Sequence, residues 1–332
     1  METLQIIWLL LIGLLFMGYA VLDGFDLGAG VLYLLVKKEE EKKAILRSIG
    51  PFWDGNEVWL LTGGGALFAA YPAVYAATFS GFYLAMMLVL FGLIFRAVSI
   101  EFRNQSDSKF WKKLFDYGFV IGSFLPALLY GVAVGNVVRG LPLDADYNYT
   151  GTFFDLLNPY ALGVGLTGLF MFITHGAVFV AMRTEGELAR KAKAWAQISY
   201  WPYLGLFIGI SLWSFISHHR GPFVLSPWIN ITALLGMILL RVFINYSQFG
   251  RALLCSGAVI MGIMLTVGIG IYPYWVPPLY EGGIGLTVFN SSSSFYTLIS
   301  MLIIAMIGMP VVIAYNVYIY KLFLKENIKS NT

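Results

Sequence analysis

Apolar and polar positions follow one another along this chain in long blocks rather than in the short alternations of a soluble domain. Hydrophobic runs lie near 5–35, 50–71, 74–100, 114–139, 158–183, 197–218, 225–245, 251–274 and 296–323. Each meets the roughly 20 helical residues that about 30 Å of hydrocarbon requires. The polar connections near 101–113, 140–157, 184–196 and 275–295 are too short to bury a core of their own. The pattern predicts an all-α integral membrane protein: a single polytopic domain over 1–332 with nine transmembrane helices. Two four-helix bundles plus one peripheral helix would accommodate that number, although no internal repeat marks the grouping.

Composition strengthens this reading. The chain is 59% hydrophobic and 12% charged, with a mean hydropathy of +0.77, whereas soluble domains carry roughly 25% charged residues. Charge then sets the orientation. Of 21 lysines and arginines, only Arg139 and Arg220 do not lie in or beside the connections that follow runs 1, 3, 5, 7 and 9. The opposite loops instead carry Asp144, Asp146, Asp155 and Glu281. The positive-inside rule therefore predicts an outside N-terminus and a cytoplasmic C-terminus. The first run has no basic stretch before it and no small-residue cleavage site after it, so it reads as a retained span. Cys255, the sole cysteine, lies in run 8 and reads as a small packing residue. The Asn148 and Asn230 sequons read as accidental, and no nucleic-acid partner is expected.

Four carboxylates break the apolar blocks: Asp23 and Asp26 inside run 1, Asp54 and Glu57 at the start of run 2. A charge at bilayer depth costs about 3 kcal/mol on insertion scales, so these groups must face protein or water. A spacing of three places each pair on one helical face. With about 1.5 Å of rise per residue, Asp23 falls in the cytoplasmic half. Run 2 begins on the same side, where Gly50-Pro51 reads as a turn with Pro51 at the first helical position. Acids converging there suit a path that carries protons inward from the cytoplasm, because neighbouring acids and bases decide which carboxyl holds the proton. A plainer reading stays open: Asp54 and Glu57 could complement a helix dipole, and Arg96 could neutralise Asp23, Asp26 or Glu101 in a static ion pair. Gly24 and Gly28, and the stretch Gly63-Gly64-Gly65-Ala66 with Ala69 and Ala70, offer smooth faces for close helix packing.

Two segments, Tyr19-Ala-Val-Leu-Asp-Gly-Phe-Asp-Leu-Gly-Ala-Gly30 and Gly50-Pro-Phe-Trp-Asp-Gly-Asn-Glu-Val-Trp-Leu-Leu-Thr-Gly-Gly-Gly-Ala-Leu-Phe-Ala-Ala-Tyr-Pro72, closely resemble the signature of subunit II of the cytochrome bd-type quinol oxidases. The likeness continues through Ser80-Gly-Phe-Tyr83 and Phe95-Arg96, and more loosely to Pro310. It implies a respiratory oxidase of a bacterial or archaeal cytoplasmic (inner) membrane that reduces oxygen to water with electrons from quinol and protons from the cytoplasm. It also implies that two haems b and one haem d reside in a larger subunit I, with which this subunit forms a heterodimer, and that this chain ligates none. By the same resemblance, Trp53, Asp54 and Asn56 would open the proton path, and Asp23 and Asp26 would continue it. Room is left for a small single-helix accessory subunit, and for a quinone or lipid in an apolar groove.

Histidine usage agrees. The chain has only His175, His218 and His219, which is no axial-ligand set for haems between facing helices. His175 in run 5 reads as a packing histidine, with a relay role as the alternative. No His/Cys spacing marks a metal site. Two rival functions remain: a purely structural partner of subunit I, for which neutralising the acids would spare turnover, and a proton-coupled transporter. A transporter would show interrupted helices in both halves, whereas here the acids crowd into runs 1 and 2.

Overall fold

The computed structural model describes residues 1–217 and 227–324; His218, His219, Arg220, Lys325 and Lys329 lie outside them. The chain is helical almost throughout. The helices are α1 (Glu2–Leu32), α2 (Glu39–Ile49), α3 (Trp53–Ala70), α4 (Pro72–Gly81), α5 (Tyr83–Phe102), α6 (Lys109–Arg139), α7 (Pro159–Arg183), α8 (Gly186–Ser217), α9 (Pro227–Asn245), α10 (Phe249–Ile271) and α11 (Phe295–Phe323). Among the described residues, α1, α5, α6, α7, α10 and α11 are long and apolar enough to cross a membrane, and α3 with α4 would supply a seventh crossing if counted as one bent span. The protein is thus an all-α, multi-pass membrane protein.

Several boundaries differ from those of the apolar runs. Run 3 is two helices, because the chain breaks at Phe82 between α4 and α5. A bend of 120° separates α3 from α4. Pro72 is its cause: it has no N–H to donate and disfavours helical geometry at Tyr71, which takes φ −136° and ψ 67°. The carbonyls freed by the bend are satisfied from across the molecule, as Ser293 donates its backbone N–H to Ala70 O (2.8 Å) and its hydroxyl to Ala69 O (2.6 Å). Pro51 is not the first residue of its helix. It lies in the turn before Trp53, whose preceding residue Phe52 is wholly buried.

α1 is the central post, packed by α3, α6, α7 and α10. Its last turns are buried on all sides from Gly24 to Gly30. Gly28 permits this, because a Cβ there would strike the carbonyl oxygen of Phe172 on α7; Gly176 meets the backbone of Ala29 in return. The small residues of run 2 are used differently. Gly63 meets Phe16 of α1, but Gly64 and Gly65 have nothing near them.

The connection after run 1, rich in charge, is not a loop. It forms the amphipathic α2, which buries Ala44, Ile45, Leu46 and Ile49. Ion pairs hold it from both sides. Glu39 takes Arg103 at 2.8 and 3.0 Å, and Lys42 reaches Asp116 at 2.5 Å, to which Tyr33 also donates at 2.7 Å. Lys38 reaches Glu187 at 2.5 Å, and Lys191 reaches Glu41 at 2.8 Å. The Arg103 hydrogen bonds hold the Glu39 carboxyl below its usual range. Lys38, then Lys191, bring Glu187 down to about 2. At the other end of the bundle, a two-stranded antiparallel ladder, β1 (Tyr274–Val276) and β2 (Leu286–Thr287), joins the 140–157 connection through Leu141 N–H to Pro277 O, 3.0 Å.

Candidate functional site

Asp23 and Asp26 project from the buried part of α1 and are both wholly inaccessible. Arg96, equally buried on α5, places one guanidinium nitrogen 2.8 Å from Asp23 Oδ1 and 2.9 Å from Oδ2. Its other terminal nitrogen lies 3.3 Å from Glu57 Oε2 on α3, whose side chain keeps 16% exposure. Arg96 thus bridges an enclosed carboxylate and one that reaches the protein's edge. One turn before Asp23, Tyr19 donates to the hydroxyl of Tyr130 at 3.0 Å, with the two rings edge to face at 5.4 Å.

Asp26 is held differently. Its Oδ2 accepts from Asn56 Nδ2 at 2.8 Å, while its Oδ1 is buried with no hydrogen-bond partner among the described residues. The Asn56 amide is fixed on three sides: Nδ2 also donates to Leu22 O at 3.0 Å, and Oδ1 accepts from the Tyr320 hydroxyl at 2.9 Å. Tyr320 comes from α11 and packs on Phe52 with ring centres 4.7 Å apart. The same tyrosine lines a cleft of about 270 Å³ together with Trp53, Asp54, Glu101 and Asn316. A continuous set of polar contacts therefore runs from that surface cleft, through Tyr320 and Asn56, to Asp26.

The sequence groups Asp54 with the other three acids, whereas the structure separates them. Asp23, Asp26, Glu57, Asn56 and Arg96 come together inside, and exposed Asp54 and Glu101 stand at the cleft with half-buried Trp53. Glu101 is therefore not a partner of Arg96. Tyr320, Tyr19 and Tyr130 join the site without having been singled out. Tyr19 stands in the quoted signature segment, but nothing in the sequence distinguishes Tyr130 or Tyr320 among 20 tyrosines.

His175 stands away from this path. Its Nε2 lies 3.0 Å from Val21 O and its Nδ1 2.9 Å from Ser256 Oγ. A carbonyl can only accept, so Nε2 carries the proton and Nδ1 accepts from the serine. Both ring nitrogens are thereby occupied, which does not fit a haem axial ligand. No group of three or more His, Cys, Asp or Glu side chains placed to hold a metal occurs among the described residues.

Comparison with known proteins matches residues 4–323 to the family model described as cytochrome bd terminal oxidase subunit II. The chain is 38% identical to cytochrome bd-I ubiquinol oxidase subunit 2 of Escherichia coli (strain K12), over 100% of this chain and 98% of the relative. It is 34% identical to cytochrome bd ubiquinol oxidase subunit 2 of Bacillus subtilis (strain 168), over 98% and 97%. Among solved structures, a chain of bd oxidase from Geobacillus thermodenitrificans matches with a TM-score of 0.81 at 16% identity, covering 97% of this chain and 99% of that one.

Proposed function

This chain belongs to the cytochrome bd terminal oxidase subunit II family, and from that premise we propose that it supplies the oxidase complex with a proton path from the cytoplasm. The complex is a quinol oxidase of a bacterial membrane, and this chain is one of its subunits. In the proposed arrangement, the nine apolar runs each cross the cytoplasmic (inner) membrane, with the N-terminus outside. The face bearing α2 and the cleft of Asp54 is then cytoplasmic. The two haems b, the haem d and quinol oxidation belong to subunit I of the heterodimer. This chain contributes no haem ligand, as the occupied nitrogens of His175 support.

One observation carries the proposal: the polar contacts that join the cleft to a buried carboxylate lacking a cation of its own. Asp54 and Glu101 collect protons at the cleft. Tyr320 and Asn56 orient Asp26, and a proton arrives at Oδ1, the oxygen without a hydrogen-bond partner among the described residues. Asn56 cannot itself carry a proton at neutral pH, so its role is to hold Asp26 in place. Asp23, Arg96 and Glu57 then form the inner side of the path, and Glu57 brings it to the protein's edge, where subunit I can receive it.

The Asp23–Arg96 pair also favours a second reading, a scaffold for subunit I, since a fully enclosed ion pair can be purely structural. Turnover and proton uptake in vesicles by the intact complex carrying Asp54→Asn separate the two. Loss of both with an unchanged haem spectrum is expected; normal uptake would leave this subunit as a scaffold.

A further inference from the structure

A second cleft, of about 510 Å³, opens beside the first where α2, α5 and α6 end together, and Gly50 borders both. Its wall carries three cations, Lys43, Arg47 and Lys112, against one carboxylate, Asp107, with the Asn104 amide among them and Leu46 and Ile100 as apolar surface. The cations are incompletely neutralised. Arg47 is exposed and makes no ion pair among the described residues. Lys43 meets Glu40 at 3.3 Å on the surface. Lys112 is held by Asp107 at 3.0 Å, and that carboxylate is fully exposed.

The place of the cleft limits what can fill it. α5 and α6 are both long and apolar enough to cross a membrane, so their joined ends lie at headgroup level. Exposed Phe102 and Phe110 stand two residues along the chain from the lining residues Asn104 and Lys112. Basic pockets between helices at this level suit anionic headgroups, and the volume lies in the range of small-molecule sites. We propose that this cleft binds the phosphate headgroup of an anionic phospholipid, with Arg47, Lys43 and Lys112 as its cationic contacts. A soluble phosphate ester would use the same cations but gain nothing from the apolar surface of Leu46 and Ile100. The assignment stands apart from the proton path and does not depend on it.

The intact oxidase complex, purified in non-ionic detergent, can be titrated with phosphatidylglycerol or phosphatidylcholine and the retained lipid counted by native mass spectrometry. Phosphatidylglycerol should be retained in preference, and Arg47→Gln or Lys43→Gln should weaken its retention roughly fivefold per charge removed. Asp107→Asn, which removes the competing carboxylate, should strengthen it, a gain that a misfolded variant could not produce. Equal retention of the two lipids, an unchanged affinity in the glutamine variants, or displacement of lipid by millimolar glycerol 3-phosphate would each overturn the assignment.

Discussion

Asp23 and Asp26 are three residues apart on one helix and equally buried, yet their surroundings assign them different chemistry. Asp23 has a guanidinium against both oxygens; Asp26 has an amide on one oxygen and no hydrogen-bond partner on the other among the described residues. Asp26→Asn is therefore expected to abolish proton uptake while leaving the haem spectrum and thermal stability of the complex close to normal. Arg96→Gln should act on stability, since removing one partner of an enclosed pair leaves an uncompensated charge and costs about 3–5 kcal/mol; a lowered Tm with loss of the assembled complex is the expected result. These acids and Arg96 were legible in the sequence because charge is rare inside apolar blocks. Which acid meets which base was not legible, because spacing fixes the face of one helix but says nothing of what a distant helix brings to it. Tyr320 illustrates the limit: it reaches Asn56 across 264 positions of sequence.

At the level of elements, the apolar runs located the helices, and local chemistry added two features. The third run is split at Phe82 into α4 and α5, and α2 rises from a stretch that reads only as a basic connection. α2 escaped notice because its apolar buried residues, Ala44, Ile45, Leu46 and Ile49, are few and set among lysines and glutamates. Its docking is partly ionic and so depends on pH. Folding lowers the carboxyls of Glu39 and Glu187, so their contribution is complete above the ordinary carboxylate range and is lost as pH falls through the lowered values, for Glu187 near about 2. The protection of α2 amides, taken relative to the intrinsic exchange rate at each pH, should accordingly fall in acid and stay unchanged from neutral to mildly alkaline pH. The α1–α7 contact has the opposite character, being steric. Gly28→Ala would drive a methyl group into the Phe172 carbonyl and should destabilise the fold by about 1–3 kcal/mol or more, read as a lower Tm of the purified complex.

Across the whole molecule, burial is graded from α7, which is 72% buried over its most apolar stretch, to α11, which is 6% buried. That gradient could be read only in part from the runs themselves, because a lipid-facing helix, a partner-facing helix and a central one are all apolar. Orientation by basic residues carries a related weakness. Arg96, Arg103 and Arg183 belong to the count, yet all three are buried in the protein rather than lying in a loop. The outer sides of α3, α5 and α11 expose Leu61, Phe95 and Ile304 among their residues.

α11 is fastened near its two ends and slack between them: Trp8 holds Leu298 O at 3.0 Å, Tyr320 and Phe323 pack on Phe52, and Ile303 to Tyr315 face outward for most of their length. In mechanical terms it is a shaft with a bearing at each end, and a shaft transmits rotation. One residue inserted midway would disturb little packing where it is placed, but would turn everything beyond it by roughly 100° and advance it about 1.5 Å. The Tyr320 hydroxyl would then swing away from Asn56, so an insertion in the least packed part of the molecule should silence proton uptake at the most buried one.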